Sequence, residues 1–495
     1  MSSIRSAVLY STAGKYATTV IGLATTAVVA RLISPHEYGI AVLGMATLAV
    51  ANAVRELGST AYLVQVEELT EDRLRGVFTI NLCISVALAL VVALGAPLIA
   101  NLFGQPGLAL FLHISLVGFL TGSVAFPLYG LLSRDLAYRK LSAVAICSAI
   151  VNSAALIIFA ALEFSFQSFA LANVISGLTG ALLLFWLKPA RAMFRPGFAA
   201  WRDILSFSLF TGGASLLHRA SDYLAVAVLG VVLTPGAVGL LNRATQICQF
   251  PERTILAGVT EVALPAFSDL ARRKQDLAAT YLGAIEKLTV FMWPCLALTI
   301  LLAHPLVRGF LGSDWLEVIP LVQIIAGALI LNFPPGLNYP LIVAMGKTRR
   351  LFVLAILQIS IALPIVLIAA QLGMFAVAWS TYLIVLAGVI TSTVAVRGLI
   401  DIPLSSLFAS MYRSLGVTAV SILPATGLVM LLGGPVSLGA ADSLAVLGTA
   451  ALGWLAGIVA LSHPIRTEIK SLFAGLQRRL RRIRVGSHPE APKSD

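Results

Sequence analysis

The sequence predicts an all-α, polytopic membrane protein of about fourteen transmembrane helices, arranged as two six-helix bundles related by a parallel repeat, plus two extra C-terminal helices. Three observations predict it. Of the 495 residues, 59% are hydrophobic and only 11% charged, too little polar side chain to cover a water-soluble globule. Apolar stretches of about twenty residues recur from end to end, each long enough to cross a hydrocarbon layer about 30 Å thick as a helix. Runs such as Val86–Leu94 and Ile361–Ala370 are apolar on every face, whereas strands of a membrane barrel alternate polar and apolar residues.

Hydropathy places the helices at 10–31, 39–64, 77–100, 108–133, 141–162, 166–188, 204–232, 237–265, 281–303, 316–345, 351–371, 374–396, 411–433 and 441–462. The first apolar run carries Lys15 and continues to Ala30 without a small-residue cleavage site, so it reads as a membrane helix rather than a signal peptide. An even helix count puts both termini on one side. Eighteen Lys and Arg residues fall in the N-terminus and the even-numbered connections, and eight more in the tail, while the opposite connections offer only Arg31 and Arg308. By the positive-inside rule both termini are cytoplasmic. The net charge of +12 is thus topology information, and no nucleic-acid partner is expected. Cys83, Cys147, Cys248 and Cys295 lie in apolar runs without paired spacing, so neither a zinc site nor a disulfide framework is expected, and no metal or cofactor.

An internal repeat supports the two halves. Ile33-Ser34-Pro35-His36-Glu37-Tyr38-Gly39 is echoed by Leu233-Thr234-Pro235-Gly236-Ala237-Val238-Gly239, at an offset of 200 residues. Six helices per half keep both halves facing the same way, and parallel repeats of this kind tend to hold substrate between them. The expected divisions are an N-terminal bundle at 1–190, an amphipathic connection at 191–203, a C-terminal bundle at 204–400, helices 13 and 14 at 401–465 and a basic tail at 466–495. The connection mixes Arg191, Arg195 and Arg202 with Phe194, Phe198 and Trp201, as befits a segment along headgroups. In the tail, Ile469, Leu472, Phe473, Leu476, Leu480 and Ile483 recur at helical spacing among arginines, which suits either an amphipathic helix on anionic lipid or a solvated tail that fixes topology.

Six basic residues remain at or near membrane depth: Lys15, Arg55, Arg219, Arg243, Arg253 and Lys287, with the acids Glu56, Asp222, Glu252, Glu261 and Glu286. A charge at a helix centre costs roughly 2.5–3.5 kcal/mol on insertion scales, so such a set persists only with partners or a wet cavity. Glu286 and Lys287 lie near a helix start and read as interfacial. In helix 1, Thr12, Lys15, Thr19, Gly22 and Thr26 share one face; helix 2 adds Asn52, Arg55, Glu56 and Ser59. Helix 7 carries His218, Arg219 and Asp222, and helix 8 carries Asn242, Gln246, Gln249 and Arg253 on one face with Arg243 beside it. These are the first two helices of each half. Ion pairs that merely hold helices together are the structural alternative for any one of these residues. An arginine-lined cavity suits an anionic ligand such as a diphosphate, because guanidinium forks match phosphate oxygens in pairs. The expected substrate-binding residues are Lys15, Arg55, Arg219, Arg243, Arg253, Asn52, Asn242, Gln246 and Gln249. Glu56, His218 and Asp222 are candidates for coupling transport to protons or cations.

Catalytic motifs are missing from the sequence. Gly346-Lys347-Thr348 resembles the end of a phosphate-binding loop, but Leu341 stands where that loop needs glycine. No nucleophile elbow or metal-ligand spacing occurs, so the chain does not read as an enzyme.

Arg31-Leu32-Ile33-Ser34-Pro35-His36-Glu37-Tyr38-Gly39, Arg55-Glu56-Leu57-Gly58 and Ser133-Arg134-Asp135-Leu136-Ala137-Tyr138-Arg139 together resemble the oligosaccharide repeat-unit flippases of the Wzx type, in the multidrug/oligosaccharidyl-lipid/polysaccharide exporter superfamily. The branch serving colanic acid and similar exopolysaccharides is the most similar. This resemblance implies a V-shaped pair of bundles that moves an undecaprenyl-diphosphate-linked oligosaccharide outward by alternating access, for exopolysaccharide or lipopolysaccharide synthesis. It implies as partners the lipid-linked oligosaccharide, membrane lipids, a polysaccharide polymerase and other assembly proteins. Two other functions compete: a cation-coupled drug or small-molecule exporter of the same superfamily, and a non-transporting scaffold for glycan synthesis.

Overall fold

The computed structural model describes residues 2–55, 60–198, 201–332 and 335–468, with side chains described except at 2–9, 60–61, 207–222, 255–262, 335 and 348. Among these residues there are helices and turns but no strand. The helices are α1 (Ser2–Val29), α2 (Pro35–Arg55), α3 (Thr60–Gln65), α4 (Glu71–Leu102), α5 (Gly107–Ser115), α6 (Val117–Arg134), α7 (Tyr138–Ala161), α8 (Gln167–Leu187), α9 (Trp201–Val232), α10 (Pro235–Arg272), α11 (Leu277–Leu301), α12 (Ala303–Phe310), α13 (Val318–Ile330), α14 (Pro335–Ala344), α15 (Thr348–Gln371), α16 (Met374–Arg397), α17 (Leu404–Leu431) and α18 (Ala440–Ala460). Each of the fourteen expected spans falls on one of these helices or on a consecutive pair. Helix 4 of the sequence reading is divided at Leu116 into α5 and α6, and helix 2 covers α2 and α3, between which 56–59 lie outside the described residues. Ten helices among the described residues are long and apolar enough to cross a bilayer. In the most hydrophobic, Arg349–Gln371, only 6% of the apolar window is buried, so its surroundings are lipid rather than protein. The chain is an all-α polytopic membrane protein.

Local chemistry sets the helix starts. Pro35 and Pro235 open α2 and α10, where a missing N–H costs nothing. Before α2, the Ser34 hydroxyl accepts from the Glu37 N–H at 3.3 Å while the Glu37 carboxylate accepts from the Ser34 N–H at 2.9 Å, a reciprocal cap. Thr234 plays the matching part before α10, accepting from the Ala237 N–H at 3.4 Å. Thr70 caps α4 and Asp276 caps α11, the latter accepting from the N–H groups of Ala278 and Ala279. At the end of α3, Arg134 donates to the carbonyls of Leu63 and Glu67, both at 2.9 Å, and to that of Val66, satisfying acceptors a helix end leaves open.

The chain forms two compact units. The first comprises 1–245, 307–321 and 355–381. Within it α1 and α7 run parallel. Ser142 donates to the Tyr10 carbonyl at 2.9 Å and, fifteen residues further along α1 and eleven further along α7, Thr25 donates to Ser153 at 2.6 Å. Gly14 permits this approach, since a methyl group there would sit 2.9 Å from the Ser142 side chain. On its other side α7 pairs antiparallel with α8, where Ser176 donates to the Ser148 carbonyl at 2.9 Å. The core beneath α3, α4, α6 and the α8–α9 connection is built from Leu63, Val77, Leu128, Leu132, Met193 and Ile204.

The second unit comprises 246–306, 322–354 and 382–495. Ile285, Leu288, Leu337, Leu341 and Met411 join α11, α14 and α17. α18 lies flush on α17, because Gly453 and Gly457 press their bare backbone on Val420, Ser421 and Val417, and Ser421 donates to the Ala450 carbonyl at 2.8 Å. The expected amphipathic helix of the tail, with its residues from Ile469 onward, lies outside the described residues.

Candidate substrate-contacting site

The two copies of the internal repeat meet inside the first unit. The N-terminal turns of α2 and α10 cross so closely that a side-chain carbon on Gly39 would sit 1.7 Å from the Pro235 carbonyl oxygen, and one on Gly239 would sit 2.4 Å from the Pro35 carbonyl oxygen. Each glycine therefore faces the proline that opens the other helix. This reciprocal crossing brings Tyr38 of α2 against the expected site residues of α10.

Tyr38 donates its hydroxyl to the Asn242 amide oxygen at 2.9 Å. The Arg243 guanidinium lies 4.0 Å from the centre of the Tyr38 ring and 5.2 Å from that of Trp315. Tyr38 and Trp315 meet edge to face with centroids 5.6 Å apart, and Trp315 donates its indole N–H to the Ala30 carbonyl at 2.7 Å. Arg243 is only 6% exposed. Burying a cation costs several kcal/mol, and each stacked ring returns about 0.5–2 kcal/mol of that.

Arg55, at the end of α2, is likewise buried, at 7% exposure. It donates to the carbonyls of Gly118 at 3.0 Å and Phe119 at 3.5 Å, and its guanidinium lies 4.7 Å from the centre of the Phe126 ring. Gly122 makes room for it, because a methyl group there would sit 2.3 Å from the guanidinium. Asn52, one turn earlier, is half-buried.

Lys15 is exposed on α1, as are Thr19 and Gly22 of the same stripe, and the space above Gly22 is open. In the second unit, Arg253 is exposed and donates to the side-chain oxygen of Gln249 at 2.8 Å; Gln246 is also exposed. Glu56, and the side chains of His218, Arg219 and Asp222, lie outside the described residues. The structure thus brings Asn242 and Arg243 together around Tyr38, and Gln249 together with Arg253.

Sequence reasoning missed the aromatic partners Tyr38, Trp315, Phe119 and Phe126. Tyr38 sat in the repeat motif, but nothing in spacing marked it as the platform for a residue 205 positions away. A second polar cluster also went unseen. In the second unit, buried His463 places its Nε2 3.2 Å from the Ser414 hydroxyl and 3.8 Å from the Glu286 carboxylate, with Arg413 4.0 Å from that carboxylate. Lys287 pairs with Glu468. Burial and the neighbouring Arg413 charge hold the His463 imidazole below its ordinary range. Among the described residues, no three His, Cys, Asp or Glu side chains gather as a metal site would require.

An all-α polytopic membrane protein with buried arginines on its crossing helices is the class defined so far. Residues 28–320 match the family model described as polysaccharide biosynthesis protein, more than half of the chain, and the chain belongs to that family. It is 23% identical over 379 residues to the teichuronic acid biosynthesis protein TuaB of Bacillus subtilis (strain 168), covering 74% of this chain and 77% of that one. It is 20% identical over 357 residues to the lipopolysaccharide biosynthesis protein WzxC of Escherichia coli (strain K12), covering 71% and 72%. The succinoglycan biosynthesis transport protein ExoT of Rhizobium meliloti (strain 1021) is 23% identical over 356 residues, covering 70% and 71%. Among solved structures, the fold resembles the lipid II flippase MurJ in an inward closed conformation, with a TM-score of 0.75 at 16% identity over 93% of this chain and all of that one. It also resembles an inward-facing multidrug resistance MATE family transporter, with a TM-score of 0.58 at 16% identity, covering 77% and 95%. The lipid II flippase and the multidrug transporter share this fold.

Proposed function

We propose that this chain is a flippase that carries an undecaprenyl-diphosphate-linked oligosaccharide repeat unit across the bacterial inner membrane by alternating access, with both termini cytoplasmic. The observation that carries the proposal is the arginine bias of the membrane-depth charges in a chain of the polysaccharide biosynthesis family. Relatives named for teichuronic acid and lipopolysaccharide biosynthesis and for succinoglycan transport support a polysaccharide substrate, and the MurJ-like fold suits a lipid-linked one. The diphosphate is the natural ligand of arginines, which stay charged at any working pH. Arg55 and Arg243, whose guanidiniums lie against the rings of Phe126 and Tyr38, are two of the proposed phosphate-binding groups. Arg219 and Arg253, with Lys15, Asn52, Asn242, Gln246 and Gln249, complete the proposed lining, and Glu56, His218 and Asp222 its coupling groups. The reciprocal contacts of Gly39 and Gly239 support the repeat, and the proposed division is into halves at 1–190 and 204–400, joined by 191–203 and followed by 401–465 and the tail at 466–495. A polymerase and other assembly enzymes are the proposed partners.

Complementation tests the proposal. In a strain lacking this chain, single alanine variants of Arg55, Arg219, Arg243 and Arg253 should block polymer export while protein levels stay normal. If all four variants export polymer at the normal rate, the arginine lining is wrong. In liposomes, the purified protein should translocate a lipid-linked oligosaccharide; a protein that moves only small cations is an exporter of the other branch, and one that moves nothing is a scaffold.

A further inference from the structure

The connection after α8 is held in place by contacts that a merely tethering linker does not need. Its 3-10 turn, Arg191–Phe194, buries Met193 completely and stacks Phe194 on Phe78 and Phe185, with centroids 5.2 and 5.8 Å apart. Arg75 of α4 donates to the Ala192 carbonyl at 3.3 Å, and the Gly197 N–H donates to the Thr79 hydroxyl at 3.0 Å. Arg75 and Thr79 lie four and eight residues inside the start of α4 at Glu71, about 6–12 Å along its axis at about 1.5 Å per residue. These contacts tie the segment to the first turns of α4, a helix of span length.

Its outward face combines two chemistries. Phe194, Phe198 and Trp201 are 44%, 59% and 43% exposed, and Arg191, Arg195 and Arg202 are exposed among them. Of the neighbouring acids, Asp135 pairs with Lys188 at 2.6 Å and Glu71 and Asp72 pair with Arg75 at 2.7 and 3.4 Å, while exposed Asp203 adjoins Arg202. Among the described residues no carboxylate pairs with Arg191, Arg195 or Arg202. Three exposed cations set among exposed aromatic rings, with Arg202 5.3 Å from the centre of the Trp201 ring, are complementary to an anionic headgroup, and aromatic rings favour the same interfacial zone. We propose that Arg191, Phe194, Arg195 and Phe198, with Trp201 and Arg202 at the start of α9, form a docking surface for anionic phospholipid of the surrounding leaflet, distinct from the arginines proposed above to bind cargo.

The test uses the full-length protein, purified in mild detergent and titrated with fluorescent phosphatidylglycerol or phosphatidylcholine. The wild type should bind phosphatidylglycerol in preference. Each of R191Q, R195Q and R202Q should weaken that binding about fivefold, and the triple variant on the order of 100-fold, with phosphatidylcholine binding unchanged. A triple lysine variant should keep the preference, because the attraction is one of charge. R308Q, on the opposite side of the charge map, should behave as wild type. Three results would overturn the proposal: a folded triple glutamine variant that binds phosphatidylglycerol as the wild type does, wild-type protein with no lipid preference, or full displacement of the lipid by millimolar inorganic phosphate, which would mark a free-phosphate site instead. Should the triple variant fail to purify as a folded protein, the single variants carry the same comparison.

Discussion

Replacing Gly39 by alanine isolates the crossing of the two repeats. Within a helix the change would ordinarily stabilise, since alanine is favoured over glycine by about 1 kcal/mol. Here the new carbon would lie 1.7 Å from the Pro235 carbonyl oxygen and 2.4 Å from its carbonyl carbon, where ordinary contact is 3.4–4 Å. The obstructing atoms are backbone and cannot rotate away, so α2 and α10 must part by more than 1 Å, taking Tyr38 off Asn242 and Arg243. Overpacking of this kind costs about 1–3 kcal/mol before the lost hydrogen bond and ring contacts are counted, so the cost exceeds the propensity gain. Gly22 is the control: no atom lies within 4 Å of its absent side chain, so Gly22→Ala should leave stability unchanged or raise it. Thermal unfolding of the detergent-solubilised variants, followed by tryptophan fluorescence, should place Gly39→Ala clearly below wild type and Gly22→Ala at or above it. Gly239→Ala meets the same interface at 2.4 Å, so the double variant should cost less than the sum of the singles. Equal melting of Gly39→Ala and Gly22→Ala would refute the reasoning.

Other expectations follow from single contacts. Trp315→Phe leaves the Ala30 carbonyl without its indole donor inside a buried site and should destabilise by about 1–3 kcal/mol in the same assay. Asp276→Ala removes the cap of α11 and should cost about 0.5–2 kcal/mol, with Asp276→Asn recovering most of it. His463 is held below its ordinary value of 6.5, so the unfolded chain takes up a proton before the folded one does. Its contribution to stability is full above pH 6.5 and is lost as pH falls through the lowered folded value; unfolding measured across that window should show a slope that His463→Gln flattens. Asp135→Asn, which breaks the half-exposed pair with Lys188, should change stability by less than about 1 kcal/mol.

Most of the fold was legible because a membrane span states itself: a run of twenty apolar residues has one stable conformation in lipid, whatever its neighbours. Interruptions were less legible. The division at Leu116 carries no proline or glycine at the break, so nothing local announces it. For the site, composition could say that Arg55 and Arg243 are costly at membrane depth, and their burial agrees with that. It could not name what they rest on, because Tyr38, Trp315 and Phe126 are ordinary aromatic residues until the chain brings them within reach. The His463 cluster stayed hidden for a related reason. Glu286 read as interfacial on its own helix, and its partners arrive from α17 and from the residues after α18, more than a hundred positions away.

The motif around Arg134 was among those that suggested a family, and its job in the structure is to close the end of α3 by donating to three carbonyls. Carbonyl oxygens are the same in every sequence, so this arginine is indifferent to which side chains surround it and to which sugar is carried. A database search seeded on that motif will therefore gather chains that share the joint, and sorting them by cargo requires positions elsewhere.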